Sequence, residues 1–144
     1  MNSDINLLLF SMNGVNFGVD MEEVGRIVEP RSIHPSILCY SLENFFDFPV
    51  APSQERRKGV FLFPKHYESQ CAIRIEGLES MVLLPLDSIR ALPRILRWNL
   101  DSQPVWGVAI IEEHLVFLVS LDRLLARAGD PILKPFRQGN LVSS

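Results

Sequence analysis

The side chains that could carry out chemistry are sparse and scattered. The three histidines, His34, His66 and His114, each fall in or beside a predicted turn. No two share the HxH or HxxxH spacing that sets two imidazoles on one face of a strand or helix. Three turns could converge on a metal, with Cys39 or Cys71 as a fourth ligand, but solvated turn histidines are the simpler reading and no metal site is assigned. Glu22-Glu23 and Glu112-Glu113 are adjacent acids. Neighbours along a strand point to opposite faces, so such a pair is no acid–base dyad by itself, and capping or decorating turns is the expected role. The chain contains neither a GxSxG nucleophile elbow nor a GxxxxGK phosphate loop. No catalytic residue and no cofactor site is therefore assigned, and the chain reads as a non-enzyme.

The bulk composition agrees. The 144 residues are 47% hydrophobic and 22% charged, enough for one domain to bury a core without disulfides or metal. The formal net charge of -3 does not invite a polyanion. The one basic cluster, Arg56-Arg57-Lys58, follows Glu55 in a loop-like stretch and reads as solvated loop rather than a nucleic-acid footprint. Cys39 and Cys71 form no CxxC pair and sit in apolar runs. They read as reduced and buried in a cytoplasmic protein, a mutual disulfide being the alternative. The first residues carry no basic region of a signal peptide. The longest apolar run, Val105 to Ile111, is far shorter than the ~18 residues a membrane span needs.

The elements that must position these residues are short, closely spaced and rich in β-branched and aromatic side chains, which is strand behaviour. The spacing predicts strands over Ile5–Met12 and Val15–Val19 around an Asn13-Gly14 turn. One helical turn over Met21–Val24 follows, capped by Asp20 with Glu23 as capping-box partner. Arg26–Glu29 is a strand stopped by Pro30, and Ile37–Tyr40 another. Ser41 is expected to cap a short helix carrying Leu42, Phe45 and Phe46 on one face. A linker near 49–58 separates the halves. Val60–Pro64, Cys71–Ile75 and Met81–Leu84 are strands, with a turn at His66–Ser69 and a turn or single helical turn at Gly77–Ser80. In Leu86–Asn99, Asp87 could cap a short helix ended by Pro93, either structural or a docking arm. Val105–Ile111 and Leu115–Val119 form a hairpin, and Ser120 caps a helix to about Arg127. Residues 131–144 form a C-terminal tail, leaving 1–130 as one domain of two β subdomains.

Two features go beyond ordinary packing. Tyr40-Ser41-Leu42-Glu43-Asn44-Phe45-Phe46 resembles Val119-Ser120-Leu121-Asp122-Arg123-Leu124-Leu125: a strand end, a Ser, a Leu, an acid in the first turn and two large apolar residues. A weaker echo links Val19-Asp20 with Ile75-Glu76. Phe45, Phe46, Phe48, Phe61 and Phe63 crowd around the linker. They either fill a seam between two small barrels or stay partly exposed as docking anchors, since aromatics dominate interface energetics.

Leu7 to Pro30 resembles the opening of CheW-like domains: an apolar strand, a Gly turn, a second strand ending in one helical turn, and a third ending in Pro. Val105 to Leu125 is similar to the family's closing segment, a G-[IV]-A-like strand, a tight turn, an apolar strand and a "DL-x-x-LL"-like helix, with Ser120-Leu121 in place of Asp-Leu. Gly59 to Leu84 fits the middle hairpin and its following strand. The resemblance implies an all-β fold of two intertwined SH3-like barrels with short helices, and a non-catalytic chemotaxis adaptor coupling chemoreceptor tips to the regulatory domain of a histidine kinase. One departure is plain. Pro30 to Ser41 is too short for the family's strand and "N-L-R-G"-like turn, so the Arg of that turn has no counterpart here. One barrel should lack a strand, and the open edge makes a homodimer plausible. The alternative function is a divergent module that has lost kinase coupling and binds itself or another partner. A small β-scaffold enzyme or metal protein is the third reading. Candidate partner-binding residues are Phe45, Phe46 and Phe48, with Arg56 and Arg57 as rim charges. Neither nucleic acid nor direct membrane insertion is expected.

Overall fold

The computed structural model describes residues 3–12, 14–46, 59–65, 71–91, 104–127 and 135–137. Among them lie nine strands, β1 (Asp4–Met12), β2 (Val15–Asp20), β3 (Val24–Val28), β4 (Leu38–Ser41), β5 (Val60–Pro64), β6 (Cys71–Ile75), β7 (Leu78–Pro85), β8 (Val105–Ile111) and β9 (His114–Val119), and one α-helix, α1 (Leu121–Ala126). One-turn helices Met21–Glu23, Pro30–Ser32, Leu42–Phe45 and Leu86–Ser88 sit at strand ends. Tight turns carry the hairpins. Gly14 takes the positive φ that the predicted Asn-Gly turn requires (78°), and Glu112 and Glu113 adopt positive φ between β8 and β9 (50° and 69°), a conformation that costs a side chain with a Cβ.

The strands form two sheets, ordered β7-β1-β2-β9-β8 and β3-β5-β6-β4. Each sheet draws strands from both halves of the chain. β3 leaves the β1–β2 hairpin to pair with β5, and β7 leaves the β5–β6 hairpin to pair with β1. The registers repeat. Leu8 pairs with Val19 and Met81, while Leu62 pairs with Ile73 and Ile27. Val19 then pairs in parallel with Val119, and Ile73 with Tyr40. The sequence echo of Tyr40–Phe46 with Val119–Leu125 thus occupies equivalent places in two like units. The weaker echo is displaced: the register equates Val19 with Ile73, not Ile75.

The first sheet closes into a barrel. After β7 the chain continues to Arg90, which exchanges both backbone hydrogen bonds with Val108 of β8 (2.8 Å each). Among the described residues the second sheet has four strands, and no strand corresponds to β8 beside β4. This is the strand expected to be missing between Pro30 and Ser41. Residues 135–137 of the expected tail return to this place: Phe136 pairs with Cys39 across the outer edge of β4.

Alternating side chains explain the near-continuous apolar runs. In β1, Ile5, Leu7 and Leu9 pack with Val116 and Leu118 inside the first barrel, while Leu8, Phe10 and Met12 join a second cluster with residues of both sheets. In β5, Phe61 and Phe63 face the second barrel's interior with Ile33 and Ala72, and Leu62 faces the shared cluster. A strand buried on both faces needs no polar positions, so period-2 alternation vanishes from its sequence. The shared cluster, including Phe17, Tyr40, Phe45, Ile73 and Leu124, is the seam between the barrels. Cys39 and Cys71 are not joined in a disulfide. They lie on neighbouring parallel strands, but Cys71 partners Leu38 while Cys39 partners Ala72, so they face opposite sides of the sheet.

Several local expectations need correction. Gly77–Ser80 is not a turn throughout: Leu78 already pairs with Phe10, a register shift at Leu9/Phe10 absorbing the extra residue. Ser41 does not cap its one-turn helix; its hydroxyl is buried without a hydrogen-bond partner. Asp87 lies inside a one-turn helix whose cap position is Pro85, with no side-chain cap. Glu23 does not close a capping box with Asp20, which alone caps its turn through the Glu22 N–H (2.9 Å). The expected turn at His66–Ser69, the linker near 49–58 and a helix end at Pro93 lie outside the described residues.

One ion pair is buried outright. The Arg74 guanidinium on β6 stands 3.5 Å from the Glu43 carboxylate, both side chains 2% exposed. Removing one partner of such a pair strands a charge, whereas replacing both with apolar groups removes the desolvation cost on both sides. Glu43→Ala should therefore cost about 3–5 kcal/mol, and the double change Glu43→Leu with Arg74→Met should leave the protein no less stable than the parent, both read by urea unfolding.

Candidate interaction surfaces

The aromatic residues singled out in the sequence divide by burial. Phe45 is 6% exposed. Its ring lies 6.2 Å from Tyr40, with the Arg127 guanidinium 5.8 Å over its face. Phe46 is half-buried, its ring 5.2 Å from Phe17, which stacks on Phe10 at 5.7 Å. Phe61 and Phe63 are buried inside the second barrel, and Arg26 lies 4.3 Å over the Phe63 ring. The one-turn helix Leu42–Phe45 brings Phe45 and Phe46 together at the seam. Phe48, Arg56 and Arg57 lie outside the described residues.

The exposed apolar side chains are elsewhere. Met81 and Leu83 on β7 are 63% and 62% exposed, with Leu78 and Leu86 at its two ends. Ile110 is 74% exposed and pairs across the β8–β9 hairpin with exposed Leu115. All these belong to the five-stranded unit; among the described residues the four-stranded unit exposes only Ile27 to a comparable degree. Scattered exposed apolar residues are ordinary, but paired ones on adjacent strands form contact surface. Sequence reading missed them, although a signal existed. Met81-Val82-Leu83-Leu84 is apolar at every position, yet β7 is an edge strand whose outer face is wet. An unbroken apolar run means either two buried faces or one buried face and one sticky one.

The two units are fastened by a side chain. Ser120 Oγ–H donates to Glu23 Oε2 (2.9 Å), and the Leu121 N–H donates to Glu23 Oε1 (3.1 Å). Ser120 Oγ in turn accepts from the Arg123 N–H (3.3 Å). Glu23 sits on the crossover between β2 and β3, so its carboxylate caps a helix formed by the far end of the chain, where negative charge suits the helix N-terminus. Burial raises its carboxyl above the ordinary value, outweighing the hydrogen bonds from Ser120 and Leu121 that favour the charge.

Nothing in the described residues resembles a reaction centre. They contain no group of three or more His, Cys, Asp or Glu able to hold a metal ion. His34 Nδ1 accepts from the Ser36 N–H (3.1 Å) and lies 2.7 Å from Ser36 Oγ, fixing a local turn. His114 opens β9 beside the Glu112-Glu113 turn, and His66 lies outside the described residues. None of the described helices is long and apolar enough to cross a membrane.

No family model and no curated protein sequence matches the chain. Among solved structures it is similar to the crystal structure of the scaffolding protein TtCheW from Thermoanaerobacter tengcongensis, with a TM-score of 0.71 and 14% sequence identity, over 92% of this chain and 100% of that one. The likeness is one of fold: the chain has the CheW-like arrangement of two small β-barrel units that its sequence resembles.

Two expectations follow from the site geometry. Phe45→Ala should destabilise the protein by about 3–5 kcal/mol, while Ile110→Ser should change its unfolding free energy by less than about 0.5 kcal/mol, both in urea. Glu23→Ala should cost about 1–2 kcal/mol through the lost cap. Its pH dependence has a defined sign. With the folded carboxyl raised above its ordinary 4.5, the group's stabilisation is full below that value and declines as pH rises through the folded one, because the unfolded chain releases its proton first. The cost of Glu23→Ala should thus be largest near pH 4 and smaller at pH 7. A cost that grows with pH would contradict the raised carboxyl.

Proposed function

We propose that this protein is a non-catalytic signalling adaptor of the chemotaxis type, which acts in the cytoplasm and couples chemoreceptor tips to the regulatory domain of a histidine kinase by protein–protein contact. The observation that carries this reading is the likeness of fold, over 92% of its length, to a solved scaffolding protein of the CheW kind. The physical arrangement is in keeping with it. Two small barrels joined through one seam, with Glu23 fastening the crossover to α1, form a rigid spacer that can present different faces to different partners. On such a body the signal passes by placement. The exposed apolar residues of β7 and the β8–β9 hairpin are the contact surface this reading favours, with Met81, Leu83 and Ile110 as anchors. Phe46 serves at the margin of the seam, supported by buried Phe45, with Phe48 as a further aromatic anchor, and Arg56 and Arg57 act as rim charges that set association rate more than affinity.

A second reading has its own observation. The four-stranded unit lacks the segment in which the family carries its Asn-Leu-Arg-Gly-like turn, and with it an Arg of the interaction surface. On that reading the protein keeps the fold, has lost kinase coupling and binds itself or another partner.

Light scattering of the purified protein, alone and mixed with a CheA regulatory domain, separates the two. A stable mixed complex that Ile110→Ser or Met81→Ser weakens by about tenfold or more supports the adaptor and its contact surface. A chain that ignores the kinase domain, whether monomer or homodimer, selects the second reading.

A further inference from the structure

One end of the first barrel is open. β2 and β9 run parallel, so the β1–β2 and β8–β9 turns lie at the same end, and β7, antiparallel to β1, begins there. Between them is a cavity of about 90 Å³, with apolar surface from Leu9, Ile111 and Val116 and with Glu79, Glu112 and His114 exposed at its rim. Below it the barrel is filled. A Cβ at Gly18 would stand 3.2 Å from the Leu118 side chain, 3.3 Å from Leu9 and 3.5 Å from Val116. Small-molecule sites run to ~300–1,000 Å³, and an apolar cavity of ~150 Å³ takes benzene. A mouth of this size has room for the end of one aliphatic side chain, not for a cofactor. Charge decides what kind of segment brings that side chain. Glu79, Glu112 and Glu113 are exposed, and none meets a cation among the described residues. Glu76 and Leu78 line a shallow depression that shares Glu79 with the mouth, and among the described residues neither hollow is lined by Lys or Arg. The cations serve elsewhere: Lys65 on Glu22, Arg74 on Glu43, Arg26 and Arg127 over aromatic rings. Glu112 and Glu113 also hold positive φ, where a tight hairpin turn favours Asn-Gly, the pattern Gly14 follows in the other hairpin at this end. Two acids thus stand here against the preference of the backbone, which suits a use for their charge.

We propose that the open end of the first barrel is a socket for one aliphatic side chain of a partner protein, presented between basic residues that pair with Glu79, Glu112 and Glu113. The apolar anchor gives affinity by leaving water, and the flanking cations give choice of partner and speed of encounter. A cationic side chain entering the mouth itself would carry its charge onto Leu9 and Val116, and an acidic segment would meet three carboxylates, so neither is the occupant. The inference goes beyond the adaptor reading, since it needs no kinase as the partner, and its test uses none.

The probe is a short peptide, acetyl-Gly-Lys-Leu-Lys-Gly-amide, followed through the backbone amide NMR signals of the full chain. Asn16, Ser80, His114 and Val116, all at the mouth, should shift and saturate in the millimolar range, on the order of a single anchored side chain. The same peptide with Ser in place of Leu, or with Glu in place of both Lys, should bind about tenfold more weakly or worse. Ser80 pairs with Leu9 and shares its face of the sheet, so Ser80→Leu fills the socket and leaves the carboxylates in place. It should weaken binding by about tenfold or more, with far-ultraviolet circular dichroism unchanged. Glu112→Asn with Glu113→Gly should weaken binding to a similar degree while raising Tm by about 2–4 °C, because the turn then has its preferred residues. The proposal fails if no amide at the mouth shifts, or if Ser80→Leu or the turn variant binds like the parent chain. It also fails if the Ser-containing peptide binds as well as the Leu-containing one, since the barrel end would then be an acidic surface that attracts any cation.

Discussion

Everything in this molecule depends on two strands that change sides. β3 and β7 each leave the hairpin they follow in sequence and complete the sheet built by the other half. Neither half can therefore bury its hairpin alone, and the interface between units is not a surface laid against a surface but a continuation of both cores. The seam cluster is the result: Leu8, Phe10 and Phe17 from one hairpin meet Leu62, Ile73 and Ile75 from the other, with Leu121 and Leu124 of α1 closing the top. A contact of this kind cannot slide, since any shift would break two ladders and a shared core together. The rigidity of the molecule thus comes from topology before it comes from any single contact.

The buried polar groups follow from the same constraint. Crossing strands bring the ends of elements into the interior, and their backbone and side-chain polar atoms must find partners there. Glu23 answers this for the crossover and for α1 at once. Arg74 and Glu43 form an ion pair at the end of β4, where the acid of the one-turn helix Leu42–Phe45 faces β6 instead of capping. The two halves share a plan and solve its polar ends differently, which is what divergence from a common unit produces once each copy packs its own neighbours.

Much of this was legible in the residues. The strand order, the Asn13-Gly14 hairpin, the Ser120-capped helix and the shortened first half could be read because each rests on local signals: turn chemistry, a cap and an apolar run of known length. The repeat was readable because Ser41 and Ser120 end equivalent strands. What failed was non-local. Glu23 looks like a capping-box residue from its neighbours, and only the fold shows that a better donor pair waits at Ser120 and Leu121. Ser41 carries a cap's identity without a cap's bond. Phe136 lies in a polar, Pro-containing C-terminal stretch that gives no strand signal at all, and its place beside Cys39 follows from a gap elsewhere in the chain. The exposed face of β7 was hidden for the opposite reason: its apolar run looks like a buried strand.

The parallel pairing of β2 with β9 also governs how the chain is made. The β1–β2 hairpin precedes both of its sheet neighbours in the chain: one of its edges waits for β7 and the other for β9, the last strand in order among the described residues. Until then the nascent chain carries Leu7, Leu8, Phe10 and Phe17 with no core to enter and two unpaired strand edges. The first sheet therefore cannot be completed before β9 is available, and its folding is slow by the standards of its size, because its decisive contacts join residues far apart in sequence. A chain so arranged presents sticky edges and apolar side chains until that sheet forms, so the hairpin's late partners make it the aggregation-exposed part of the folding chain.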